Sequence, residues 1–127
     1  MRLEYGIWLA GERGAFTEVC ADILLAIGRS GSMRGAADEL GLSSCWAWHT
    51  VRAAERALGF PLLECSVGGS QGGGSRLTVE GRELLERYLA ALDEAQLYST
   101  RLYERHFKGW SGRVQIAPAA GASTAGP

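Results

Sequence analysis

Ser32-Met33-Arg34-Gly35-Ala36-Ala37-Asp38-Glu39-Leu40-Gly41-Leu42-Ser43-Ser44-Cys45-Trp46-Ala47-Trp48-His49-Thr50-Val51-Arg52 reads as two short helices joined by a sharp corner. The Ser32 hydroxyl is placed to accept from the free amides at the start of a helix carrying Ala36, Ala37 and Leu40. Gly41 ends that helix, because the left-handed backbone that closes a helix costs glycine almost nothing. Leu42 and Ser43 follow at once, so a new helix capped by Ser43 starts after a turn of about three residues, the spacing of a helix-turn-helix. On a helix advancing about 100° per residue, Ala47, Val51, Ala54 and Leu58 share one face, and Cys45, His49, Arg52 and Arg56 share the opposite one. The first stripe is expected to pack and the second to be presented. Gly35, Ala36 and Ala37 are small enough to let the two helices cross closely.

Upstream, Thr17 caps an expected helix whose apolar positions Cys20, Ile23, Leu24 and Ile27 recur at three and four, and which stops at Arg29-Ser30-Gly31. Before it, Leu3, Tyr5, Ile7 and Leu9 alternate with Arg2, Glu4, Gly6 and Trp8, the period of a half-buried strand near residues 2–9, followed by a turn at Gly11–Gly14. Downstream, Phe60–Cys65 reads as a short strand and Ser75–Thr78 as its partner, with a loop from Val67 to Gly74 that holds five glycines. Thr78 caps a long helix with Glu80 in its first turn and Leu84, Leu85, Tyr88, Leu89, Leu92, Ala95 and Leu102 as its stripe, reaching about Phe107. Such a helix, roughly 40 Å long, exceeds what a domain this small can cover, so part of its stripe is expected to meet a partner chain. Residues 109–127 have too little apolar periodicity to fold alone.

Composition sets the outer bounds. The chain has 127 residues, 46% hydrophobic and 21% charged, with 18 glycines and 3 prolines, and a second full domain does not fit. Cys20, Cys45 and Cys65 are odd in number, widely spaced and free of a C-x-x-C pair, so neither a disulfide framework nor a zinc site is expected, and a reducing cytoplasm is. The amino end has neither a basic leader nor a cleavage site, and no apolar run approaches the ~20 residues of a membrane span. A net charge of -1 argues against nucleic-acid binding by bulk charge alone and leaves room for a local cluster of cations. Twelve of the 13 basic residues are arginine, whose planar fork suits phosphate and guanine edges. No nucleophile or metalloprotease motif and no carboxylate pair in a plausible cleft is present, so no catalytic residue, no cofactor and no enzymatic activity is expected. The glycine loop lacks the Lys-Ser/Thr ending of a nucleotide-binding loop.

Four blocks carry a resemblance: Leu24-Leu25-Ala26-Ile27; Ser30-Gly31-Ser32-Met33-Arg34-Gly35-Ala36-Ala37; Leu42-Ser43 with Ala47-Trp48; and Gly68-Gly69-Ser70-Gln71-Gly72-Gly73-Gly74-Ser75-Arg76-Leu77-Thr78 with Gly81. From residue 2 to about 105 the chain resembles the amino-terminal DNA-binding domain of molybdate-responsive (ModE-type) transcription regulators. LysR-type regulators share a similar helix-turn-helix and the closing Leu77-Thr78-Val79-Glu80-Gly81 pattern, but usually lack the glycine-rich wing. The resemblance implies a winged helix-turn-helix, mainly α with a small β wing, with an N-terminal strand and a long C-terminal dimerisation helix over about 79–107. Residues 1–108 would form the domain and 109–127 a flexible tail. It further implies a sequence-specific transcription regulator, a homodimer through the long helix, on a palindromic operator in double-stranded DNA. The 43–58 helix would enter the major groove and the 66–75 loop would be the wing. The tail leaves no room for the family's molybdate-binding modules, so no oxyanion ligand is expected. Where the family usually has a Ser-Tyr-Lys stretch before Ala-Trp, this chain has Ser43-Ser44-Cys45-Trp46, so base preferences do not carry across.

The residues expected to meet DNA are Ser43, Ser44, Cys45, Trp46, His49, Thr50, Arg52, Arg56 and Arg76. Several have a plainer alternative. Arg52 and Arg56 also suit a solvated face paired with Glu55, and Arg76 an ordinary surface position. Trp46 points away from the packing stripe and suits a base contact, a partner surface or cover by the wing. Trp48 lies beside that stripe and is read as core. Cys45 and His49, four apart, have the spacing of two metal ligands but no third in reach, so no metal is expected. Cys20 and Cys65 are read as buried small apolar residues. The competing function is a protein-interaction module on the same scaffold that has lost tight DNA binding, motivated by the net charge, by Cys45 at a cation position and by Trp46.

Overall fold

The computed structural model describes residues 1–66 and 74–112. Among them the order is β1 (Leu9–Gly11), β2 (Gly14–Phe16), α1 (Glu18–Ser30), α2 (Met33–Leu40), α3 (Ser44–Leu58), β3 (Leu63–Ser66), β4 (Gly74–Leu77) and α4 (Val79–His106). The fold is mainly helical, with β3 and β4 pairing antiparallel as the base of a small wing. Thr17, Ser32, Ser43 and Thr78 each accept the backbone N–H three residues on, at Cys20, Gly35, Trp46 and Gly81, so every helix starts at the cap its sequence provides. Gly41, at φ 72°, closes α2 and lets the Leu42 N–H return to the Ala37 carbonyl at 2.9 Å. This left-handed residue turns the chain sharply enough for α3 to begin at once.

The core gathers on α1. Ile23, Leu24 and Ile27 are fully buried with Ala36 and Ala37 of α2, Val51 of α3, Leu62 and Phe16. Phe16 meets the Tyr88 ring of α4 edge-on, with centroids 5.0 Å apart, and this contact joins the long helix to the core. The β1–β2 hairpin rests on the back of α3 at van der Waals limits. A side chain at Gly11 would lie 2.5 Å from the Ala57 carbonyl oxygen, and one at Gly14 2.6 Å from that of Ala53.

Two expectations are corrected. The strand near residues 2–9 is not formed: residues 1–8 pair with no strand, and the amino-terminal ladder sits later, at Leu9–Phe16. The alternating segment lies along α4 instead. Ser99 Oγ donates to the Leu3 carbonyl at 3.3 Å, Tyr88 OH to the Ile7 carbonyl at 2.7 Å, and Tyr5 OH to the Leu92 carbonyl at 3.2 Å. Alternation calls for one covered face, and a helix surface supplies that as well as a neighbouring strand does, with hydroxyls replacing ladder bonds. This strap covers part of the α4 stripe that the sequence assigned to a partner, while Leu97 and Tyr98 remain 63% and 58% exposed. Cys65, read as buried, is exposed, because β3 leaves the core after Leu63; Cys20 is buried as expected.

The wing loop at 67–73 and residues 113–127 of the expected tail lie outside the described residues. No helix among those described is long and apolar enough to cross a membrane.

Candidate nucleic-acid interface

The packing face of α3 is formed by the small or branched side chains Ala47, Val51 and Ala54, all fully buried, and this fixes the rotation of the helix. The opposite face is thereby presented, with Cys45, Trp46, His49, Arg52 and Arg56 exposed. Ser43 is exposed, but its hydroxyl is used as the cap, accepting the Trp46 N–H at 3.1 Å. Ser44 and Thr50 are half-buried, and the Thr50 hydroxyl donates to the Trp46 carbonyl at 3.0 Å. Eight of the nine residues expected at the interface, from Ser43 to Arg56, therefore sit on or at the start of one helix. The ninth, Arg76, is on β4, where it faces Glu64 in the ladder and donates to it from Nε at 3.3 Å. The Ser75 N–H donates to the Gly31 carbonyl at 2.9 Å, which fastens β4 to the turn between α1 and α2.

Arg52 is the most constrained of these side chains. Its Nη1 donates to Glu55 Oε1 at 2.5 Å, and its guanidinium lies 4.7 Å from the centre of the Trp48 ring. The bond to Glu55 pushes the pKa of the guanidinium further up, with the Cys65 thiol of β3 as a lesser neighbour. The solvated-face pairing with Glu55 is thus present, yet the Arg52 side chain is still 45% exposed, so pairing and outward presentation coexist. Trp48 is half-buried against the core and Trp46 is 48% exposed. Among the described residues no group of three or more His, Cys, Asp or Glu side chains is placed to hold a metal ion, so Cys45 and His49 remain a pair.

Two residues that the sequence did not single out stand out in the structure. Arg34, near the start of α2, is exposed and makes no ion pair among the described residues, as is also true of Arg56. Its place in the first turn of the first helix of the corner was a usable signal. Glu55 was seen only as a surface partner for Arg52 and Arg56. Its second oxygen accepts the Leu62 N–H at 2.7 Å and the Leu63 N–H at 3.3 Å, a role set by how the chain folds back after Gly59.

Residues 21–82 match the bacterial regulatory helix-turn-helix protein model of the lysR family. With the helix-turn-helix and wing base described above, this segment is similar to the regulatory domains of that family. More particularly, the chain is similar to the Molybdenum-pterin-binding protein MopB of Rhodobacter capsulatus, 44% identical over 66 residues that make up 52% of this chain and 24% of that protein. It is also similar to the Molybdenum transport protein ModE of Azotobacter vinelandii, 35% identical over 101 residues, 80% of this chain and 37% of that protein. The chain thus matches only 24% and 37% of the length of these relatives. Among solved structures, the crystal structure of the CbnR_DBD-DNA complex aligns with 68% of this chain and 94% of its own, at TM-score 0.56 and 26% identity.

Proposed function

We propose that this protein is a sequence-specific DNA-binding transcription regulator that acts in the cytoplasm as a homodimer on a palindromic operator. The observation that carries this reading is the presented α3 face on a fold that aligns with 94% of the CbnR_DBD chain solved with DNA. In this reading α3 enters the major groove, where Arg52 and Arg56 read guanine edges, each bidentate contact contributing about 1–3 kcal/mol of discrimination. Cys45, Trp46 and His49 meet base edges or sugars, and Ser43, Ser44, Thr50, Arg34 and Arg76 hold the backbone. The molybdenum-related names of the relatives suggest a regulator of that family, with no oxyanion site assigned to this chain. The homodimer is supported by α4, where the exposed Leu97 and Tyr98 are flanked by Glu94 and Arg101. Two antiparallel copies would set each carboxylate opposite the other copy's guanidinium.

The test is selection of bound duplexes from a random pool at two salt concentrations. Enrichment of a palindrome with half-sites about 34 Å apart is expected, together with loss of its binding in Arg52→Ala while the fold is kept. No enrichment from folded protein at either salt would overturn the proposal in favour of the interaction module.

A further inference from the structure

The corner where the chain leaves α3 for the wing is gripped from both sides. From α3, Glu55 Oε2 accepts the N–H groups of Leu62 and Leu63. From the cap of α4, Thr78 donates its backbone N–H to the Leu62 carbonyl at 3.0 Å and its hydroxyl to the Pro61 carbonyl at 2.8 Å. Leu62 and Leu63 are 0% and 5% exposed, so amides without partners there would remain desolvated and unpaired. The same carboxylate, through Oε1, holds Arg52 against the Trp48 ring. Its side chain is only 11% exposed, against 45% for Arg52. One largely covered carboxylate therefore sets both the direction of an outward arginine on α3 and the position of the first wing strand.

We infer that Glu55 is a positioning residue for base recognition, which holds the Arg52 fork in one orientation and ties the wing to the same helical turn. The inference rests on the proposed DNA reading of the α3 face. A free arginine side chain loses much rotamer freedom when it docks on a base edge. One already held by a carboxylate and an aromatic face has lost it beforehand, and its error in aim is small. Discrimination between bases then depends on Glu55, although the carboxylate is turned into the protein. General attraction to phosphates does not depend on it and is, if anything, opposed by its charge.

The variant that separates these roles is Glu55→Gln. Its amide oxygen still accepts from Leu62 and Leu63, whereas its NH2 faces the Arg52 guanidinium donor to donor and releases it. Affinities of wild type, Glu55→Gln, Arg52→Met and the double variant are measured for the selected duplex and for a random duplex at one salt concentration. The specific-to-random ratio is expected to fall about tenfold in Glu55→Gln, with random binding unchanged or tighter. In the Arg52→Met background the Glu55 change should have no further effect on the ratio, because the two residues act as a coupled pair. Glu55→Asp, one methylene shorter, keeps the charge but cannot reach both partners, and the same fall is expected there if Glu55→Gln does not stay folded. A ratio within about twofold of wild type in the folded variants, or an equal fall with and without Arg52, overturns the inference. A wild-type protein that selects no duplex overturns the DNA reading itself, and that result appears before any variant is compared.

Discussion

Replacing Gly81 with alanine should destabilise the protein, although alanine is the better helix former. Gly81 is buried in the first turn of α4, and a Cβ there would lie 2.4 Å from the Leu62 carbonyl oxygen and 3.1 Å from the Leu62 carbonyl carbon and Cα. All three neighbours are backbone, so no rotamer change relieves the overlap. The start of α4 has to move away from the corner that Thr78 holds through its bonds to Leu62 and Pro61. Overpacking costs about 1–3 kcal/mol, and loss of one or two hydrogen bonds about 1 kcal/mol each. The gain in helix propensity is at most about 1 kcal/mol. The net expectation is a loss of about 1–4 kcal/mol, read as a lowered urea midpoint at unchanged slope. Gly28 is the control. It is an exposed glycine of α1 with no atom within 4 Å of its would-be Cβ, so Gly28→Ala should gain about 0.5–1 kcal/mol. Gly81→Ala as stable as wild type would refute the close approach of α4 to the corner.

Tyr88→Phe keeps the edge contact with Phe16 but removes the hydroxyl that donates to Ile7, so a loss of about 1 kcal/mol is expected, with faster amide exchange confined to residues before β1; unchanged exchange there would count against the strap. Burial pushes the Cys20 thiol from its ordinary 9.0 up to about 12, with the Glu55 charge as a lesser cause. A brief iodoacetamide treatment of folded protein at mildly alkaline pH should therefore mark the exposed Cys45 and Cys65 and spare Cys20, as read by mass spectrometry. The folded state holds this proton more tightly than the unfolded one, so the Cys20 contribution to stability is intact below pH 9 and is lost progressively toward pH 12. Burial raises the Tyr88 phenol in the same direction, so Cys20→Ala should lessen the alkaline decline without abolishing it.

Much of the helical framework was legible because its signals are local. Ser32, Gly41 and Ser43 act within one helical turn of themselves, and the stripe Ala47, Val51 and Ala54 sets which face of α3 is buried whatever it packs against. The amino-terminal segment was misread because Leu3, Tyr5 and Ile7 state only that one side is covered; the cover proved to be α4, whose Ser99 lies 96 residues from Leu3 in the chain. Cys65 was misread because strand alternation does not say where a strand leaves the core. Arg52, Arg56 and Arg76 were visible one by one, whereas Glu55 was not visible as the residue joining Arg52 to the wing corner, since its partners Leu62 and Leu63 lie beyond the turn that ends α3.

From the amino-acid sequence alone came the caps, the glycine closures, the two faces of α3 and hence the class of domain, all governed by backbone conformation and hydrogen bonds within about one helical turn. The tertiary structure alone decided that residues 1–8 strap α4, that Gly81 lets α4 touch the Leu62 backbone, and that one carboxylate serves both Arg52 and the wing. Those contacts join residues distant in the chain. They form only where burial makes an unpaired donor or acceptor costly, and that cost depends on the packing as a whole.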